Sequence, residues 1–502
     1  MSNATGGTLQ QTAQTGMQYG QMRFPTGVRT NQRTAVWLLR AFILFISLLP
    51  LGFVPLQAIG LGFLKPTQLA VAMLLVFAPF ALRADPVTKN IIMLVVLGGA
   101  VRQAVLLTSL AWSDHVMDGL TFVIVDFASA VATLLICMMA ARFSLTSLAN
   151  IFVWGSVGIA ITLHFVIFAG HAVSGRFSPA VAFEAIASGQ LKQLKASYFV
   201  GALQGLGLQG VASFFTEVAP RSTNAFGSAI VTPTLAALHL HFADRLLNKT
   251  RSSVRNAAVW FAAANAFFCI IVAFSDRVTV YAGLILLTHV FYYSFAEGNR
   301  RLRFLIAYLS FMTIGAVIIY LVWSIAAQDG LGEAVAKFMD NPRFNDLNRI
   351  LMVLGNAELY GAGMGTPLNL PGLGYKYPHN LFLSDYFFAG LLGLFAASAW
   401  LFVLIKPITQ GFGRLVHANA SAAEKSLMLG AITILLYNLA ITQLSAQGLF
   451  DLNDWIGMGI GLLLFIKARQ LVYYGGRPNP AEFTMPKKRK RRSSRYPAPR
   501  YV

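Results

Sequence analysis

Apolar runs of about 20 residues, the length needed to cross the hydrocarbon core of a bilayer as a helix, recur along almost the whole chain. Twelve helices are predicted from them, at roughly 35–54, 57–82, 90–111, 119–141, 147–170, 228–247, 256–274, 278–297, 304–327, 380–405, 426–446 and 455–473. The stretch before the first run is Gln/Thr/Gly-rich, and the stretch after the last is basic. The pattern therefore predicts a disordered tail over 1–34, a transmembrane domain over 35–473 and a basic tail over 474–502. The expected fold class is all-α: a polytopic transmembrane helical protein.

An even number of spans puts both termini on one side, and the positive-inside rule makes that side cytoplasmic. Arg83, Lys89, Arg142, Lys249, Arg251, Arg255, Arg300, Arg301, Arg303, Arg414 and Lys425 all fall there, together with the run KKRKRRSSR at 487–495. The outer connections 112–118 and 447–454 carry Asp but no Lys or Arg. Two long outer segments, 171–227 and 328–379, break the pattern with Arg176, Lys192, Lys195, Arg221, Lys337, Arg343, Arg349 and Lys376, and the short outer turn SDR adds Arg277. Long loops translocate largely regardless of charge, so chance placement is one explanation. The sharper one is an anion site at the outer membrane face.

Composition agrees with a membrane protein: of 502 residues, 56% are hydrophobic and 12% charged, against about 25% charged in soluble domains. The net charge of +20 is concentrated on one predicted side, and the basic tail reads as an anchor beside anionic lipid rather than a nucleic-acid footprint. Cys137 and Cys269 both lie in apolar runs, which implies neither a disulfide framework nor a metal cluster. GLGLQG at 205–210 fits the G-x-G-x-x-G string, but it sits in an outer loop without the strand–turn–helix context that a dinucleotide needs. No H-E-x-x-H, CxxC, P-loop or G-x-S-x-G occurs, so no metal or cofactor is expected. The first 34 residues lack the apolar core of a signal peptide.

Arg40, Arg102, Asp126, His164, His239, His241 and Asp244 lie within predicted spans. Arg102 and Asp126 fall at similar depth on consecutive helices. Burying either charge alone costs at least about 2.5 kcal/mol, so the two are expected to pair as a tie between neighbours, with a proton relay as the alternative. The histidines either line a cavity or pack in the core.

The stretch YKYPHNLFLSDYFFAGLLG at 375–393 places His379 and Asn380 at the outer start of an apolar helix expected to run without interruption. Pro378 favours an extended approach and a helix start just beyond it. A helix N-terminus carries about +0.5 charge, which attracts phosphate and favours a neutral imidazole able to accept a proton. His379 is thus either a general base or an interfacial anchor beside Tyr375 and Tyr377. Gly390 and Gly393, one turn apart, would admit a neighbouring helix, and GAGMG at 361–365 reads as a tight turn.

His379-Asn380, nine residues, then Gly390-LL-Gly393 resembles the hallmark of the O-antigen ligase and Wzy-type polymerase superfamily. RSTNAFGSAIVTPTLAALHLHFADRL (221–246), FSDRVTVYAGLILL (274–287) and RFNDLNRILMVLGNAELYGAGMGT (343–366) are similar, in order, to its other segments. The family's Ser-Arg is here Ser275-Asp276-Arg277. The resemblance implies a GT-C-like fold in a bacterial inner membrane with periplasmic loops at about 171–227 and 328–379. It implies a metal-independent, inverting glycosyltransferase without cofactor, whose donor is an undecaprenyl-diphosphate-linked oligosaccharide. The acceptor would be a lipid-linked repeat unit (polymerase) or a lipid A-core sugar (ligase), with a flippase and a chain-length regulator as companions. Nothing specific to a lipid A-core acceptor is visible, which favours the polymerase. His379 corresponds to the essential loop histidine and Arg277 to the arginine at the outer helix end. Arg349 or Arg343 corresponds to the second loop arginine, and Arg221 and Asn380 to further diphosphate or glycan contacts. A transporter of lipid-linked glycan is the alternative of another class.

Overall fold

The computed structural model describes residues 32–51, 66–174, 209–248, 252–273, 281–285, 287–289, 350–351, 353–354, 359–367, 378, 380–417, 419–444, 452–475 and 479–483; residues 51, 66, 163–174, 209–228, 268–273, 441–444 and 453–454 are described as backbone. Among them the chain is all-helical, with no strand. In chain order the helices are α1 (Gln32–Ser47), α2 (Pro66–Leu75), α3 (Pro86–Ser109), α4 (Val116–Ala140), α5 (Leu145–Ser174), α6 (Gln209–Asn248), α7 (Ser253–Ala273), α8 (Leu381–Val416), α9 (Ala422–Leu444) and α10 (Leu452–Tyr473). Short 3-10 turns follow α1, α2 and α3. Five segments, 86–112, 116–140, 145–162, 381–416 and 455–473, are long and apolar enough to cross a membrane. The chain is a helical membrane protein.

Local sequence explains the helix starts. Asp85 caps α3, its Oδ1 accepting the N–H of Val87 at 3.1 Å and of Thr88 at 3.3 Å, and Pro86 occupies the first helical position, where a missing N–H costs nothing. Asn380 caps α8 in the same way. Along α3, Ile92, Val95 and Leu106 are buried while Met93, Leu97 and Val101 face outward. In a membrane that outer apolar stripe meets lipid, so the buried side is free to carry polar groups that bind helix to helix.

The helices pack α3 against α8, α8 against α9, α9 against α10, α5 against α6 and α1, and α10 against α4. Most buried apolar side chains form one core. A second, smaller cluster of Leu106, Val123, Ile350, Leu354, Met364, Tyr386, Phe387 and Phe388 lies where α3 ends and α8 begins.

The described connections gather at two ends of the bundle. At one end the α3–α4 corner (Ser113, Gly119) meets residues 360–365 and the start of α8. At the other, Asp85, Ala141, Arg142, Gln470 and Phe483 come together, and Thr146 reaches Asp244 at 2.6 Å.

Two expectations change. Residues 209–227, expected within a long outer loop, are the first half of α6; their polar composition hid a helix that continues an apolar one. The helix after Asn380 is broken: Ala389 (φ −129°, ψ 15°) and Gly390 (φ 59°, ψ −143°) leave helical geometry. Gly390 therefore serves the break rather than the approach of a neighbouring helix, since a positive φ suits a residue without a Cβ. Gly393 lies against it, where a Cβ would collide with the Asp385 carbonyl. The expected spans at 304–327 and most of 278–297 lie outside the described residues.

Candidate functional site

The start of α8 is held from three directions. At its tip the Asn380 side chain accepts the N–H of Phe382 at 2.9 Å and of Leu383 at 3.2 Å, satisfying two of the donors that a helix start leaves without partners. The segment between this cap and the break, Leu381–Phe388, is only two turns long.

From the side, Asp385 is gripped by Arg102 of α3. Arg102 Nε donates to Asp385 Oδ2 at 2.7 Å and Nη2 to Oδ1 at 3.0 Å, a bidentate fork. Nη1 of the same guanidinium donates to Asp126 of α4 at 3.0 Å. Asp126 also accepts from Gln103 Nε2 and, at 3.0 Å, from Trp455 Nε1 of α10. All five side chains are buried. One guanidinium thus serves two carboxylates and joins α3, α4, α8 and α10. The Arg102–Asp126 pair expected from depth is present. Asp385 was missed, although the same depth argument applies to an Asp five residues into a span, and the neighbouring polar Ser384 marked that face.

From below, the glycine turn fills the break. Where α8 opens, the Phe387 and Phe388 carbonyls lose helical partners and accept instead from the N–H of Ala362 at 2.8 Å and Gly363 at 3.0 Å. Gly361, Gly363 and Gly365 have φ of 73°, 86° and 91°. A Cβ on Gly361 would lie 2.6 Å from the Ala389 and Gly390 nitrogens, and one on Gly363 2.6 Å from Ser113 Cα. The other side of the turn is stitched to the α3–α4 corner: Ser113 Oγ donates to the Met364 carbonyl at 2.7 Å, and Trp112 Nε1 to the Tyr360 carbonyl at 2.9 Å. GAGMG is a turn, as expected, and it is also the wedge that holds the helix break.

Of the residues named from sequence, Asn380 is placed here, as the cap. His379, Arg277, Arg343 and Arg349 lie outside the described residues, and Arg221 lies in the backbone-only part of α6. Of the span histidines, His164 has no described side chain. His239 packs against Gly430 and within 5.5 Å of the His289 ring, its Nδ1 3.3 Å from Ser426 Oγ, and His241 is likewise buried. His239 is an interface group between α6 and α9, whereas His241 faces Arg255 and Asn256 of α7. Residues 209–210 of the GLGLQG string are the first two of α6.

An apolar cavity between α1, α4, α5 and α10, lined by Phe45, Cys137, Phe152 and Ile460 among others, is separate from this site. The arrangement at the start of α8 is a stiff platform, capped, clamped and wedged, at the end of the bundle where α3 ends and α4 begins. No protein-family model matches the chain, and no curated protein matches it in sequence.

Proposed function

We propose that the chain is a twelve-span, GT-C-like glycosyltransferase of a bacterial inner membrane, with both termini cytoplasmic and its site facing the periplasm. It would polymerise the repeat units of an exopolysaccharide or O-antigen carried on undecaprenyl diphosphate. One observation carries the reading. The string His379-Asn380, nine residues, Gly390, which resembles the superfamily hallmark, begins at a capped helix start and ends at a positive-φ break, so its spacing measures out a distinct structural unit.

In this reading His379 takes the proton of an acceptor hydroxyl, whose oxygen attacks the anomeric carbon of the donor sugar with inversion. The bond from that carbon to the diphosphate oxygen breaks, and polyprenyl diphosphate leaves with the electron pair. Arg277 and Arg349, or Arg343 in place of the latter, hold the diphosphate, where planar guanidinium forks suit phosphate oxygens and stabilise the charge that builds on the leaving group. Arg221 would contribute from α6. A lipid A-core acceptor in place of the repeat unit would make the same site a ligase.

The test is turnover of an undecaprenyl-diphosphate-linked oligosaccharide by the purified protein in lipid nanodiscs with EDTA present. Product should form in EDTA, and His379→Ala should lower the rate by about 10²–10⁴, the usual worth of a general base. An unchanged rate in His379→Ala rejects the assignment. A transporter draws support from the charges inside the bundle, but Arg102, Asp126 and Asp385 are engaged with one another, which suits a tie better than a carrier site.

A further inference from the structure

We propose that Arg102 and Asp385 are positioning residues for the transfer site: their clasp, backed by Asp126, sets the direction of the two-turn segment Leu381–Phe388 whose capped start follows His379. The inference rests on the reading of the site given above and adds two residues that this reading does not use.

Geometry comes first. A continuous helix would let the long stretch Leu391–Val416 dictate where its own N-terminus points. The break at Ala389–Gly390 removes that control. What then orients the short segment is lateral: the Arg102 fork on Asp385, the amides of Ala362 and Gly363 on the Phe387 and Phe388 carbonyls, and the packing of Tyr386, Phe387 and Phe388 against Leu106, Val123 and Met364. Those amides hold its far end. The clasp acts in its middle, one turn from Asn380, and so governs the angle of the tip.

Energetics comes second. A buried ion pair seldom stabilises a protein more than apolar side chains of similar volume would, because desolvation of the charges offsets their attraction. Stability alone is therefore a weak reason for three charges among α3, α4 and α8. A bidentate fork does supply what apolar packing lacks, a fixed distance and a fixed plane. Asp126 takes the remaining arm of Arg102 and is itself fixed by Trp455 and Gln103, so the guanidinium has one orientation in which all its partners are met. A displacement of about 1 Å in a reacting group can cost about 10² in rate, which makes such a fixture useful beside a catalytic base.

The experiment compares three full-length variants in nanodiscs. Arg102→Lys keeps the charge and loses the fork. Asp385→Asn keeps the shape and loses the charge. The triple variant Arg102→Met, Asp126→Asn, Asp385→Leu removes all three charges of the clasp, leaves Trp455 an acceptor, and avoids the unpaired buried charge that a single change leaves. In each, kcat should fall by about 10² while the donor KM stays at the wild-type value, and amide hydrogen exchange over 381–388 should quicken. The triple variant decides the matter, because a purely structural role predicts wild-type kcat and wild-type exchange once folding is intact; that result overturns the proposal. If the wild-type protein does not turn over the lipid-linked substrate at all, the reading of the site fails, and the exchange rates over 381–388 still judge the clasp: unchanged protection in the triple variant rejects it.

Discussion

The guanidinium of Arg142 lies 4.3 Å from the centroid of the Phe483 ring, while the Arg142 backbone carbonyl accepts the Phe483 N–H at 2.9 Å. Its Nε donates to the Ala481 carbonyl at 2.8 Å and Nη1 to that of Phe80 at 3.0 Å. A short strap, Asn479–Phe483, is thereby fastened across the corners between α2 and α3 and between α4 and α5. Burial, together with nearby Arg83, pushes the Arg142 pKa down to about 10. It therefore keeps its charge at neutral pH, and the cation–π contact persists. Phe483 is followed, four residues on, by the basic run that begins at Lys487.

The strap should respond to pH through Glu482. Burial raises the Glu482 pKa above its ordinary value, opposed by attraction to Lys467 and assisted by repulsion from Asp85. A carboxyl whose folded pKa is raised adds stability below its ordinary pKa and loses it as pH climbs through the raised value. Amide protection over 479–483 should therefore be greater at mildly acidic pH than at neutral pH. Glu482→Gln should remove the difference and hold the protected level throughout, and equal protection at both pH values in the unaltered protein would exclude the linkage.

Gly361→Ala should destabilise the protein. The Cβ would meet the Ala389 and Gly390 nitrogens at 2.6 Å, and the residue sits at φ 73°. Left-handed backbone on a residue with a side chain costs of order 1–3 kcal/mol, and the collision adds to it by prising the wedge from the break. Gly413→Ala, in the last turn of α8 with open space around it, should be neutral or stabilising by up to about 1 kcal/mol. Thermal unfolding of the two variants in the same detergent gives the comparison; equal midpoints would mean that the wedge bears no load.

What could be read in advance divides along physical lines. Spans such as 119–141 and 455–473 announce themselves by apolar length, and α4 and α10 match them to within three residues at either end. The Arg102–Asp126 tie followed from depth alone. Asp385 carries the same signal of depth, but its choice of partner, Arg102 across 283 positions of sequence, is set by packing, and the glycine turn at 361–365 belongs to a break that only packing reveals. Gly390 looked like a site for close helix approach because small residues serve that purpose in most membrane helices. Positive φ serves the other purpose equally well, and the residue type does not distinguish them. The first half of α6 was hidden for a different reason, since Thr216, Glu217, Arg221, Ser222 and Asn224 suppress hydropathy without preventing a helix.

Trp455→Phe tests the buried network from its far side. The indole Nε1 donates to Asp126 Oδ1 at 3.0 Å, and phenylalanine fills most of the space while removing the donor. Leaving a buried acceptor short of one partner costs about 1–3 kcal/mol, more where it is charged. The melting temperature should fall, and it should recover in part when Asp126→Asn is added, because the neutral amide needs less compensation. If the double variant melts below Trp455→Phe, the indole supports packing and not the carboxylate.

Asn380 offers a substitution that separates folding from anion binding. As the cap of α8, with its Oδ1 on two backbone amides, it is worth about 0.5–2 kcal/mol, lost in Asn380→Ala. Asp caps as well as Asn, and a negative charge at a helix start is itself favourable by about 0.3–1 kcal/mol. Asn380→Asp should therefore match or exceed the unaltered protein in thermal stability. A donor diphosphate held at this helix start would meet that new charge, so the KM for the lipid-linked oligosaccharide should rise several-fold, and the rise should shrink as added salt screens the repulsion. Stability retained with an unchanged KM at low salt would place the diphosphate away from the α8 terminus, and the arginines would then have to hold it elsewhere on the outer face.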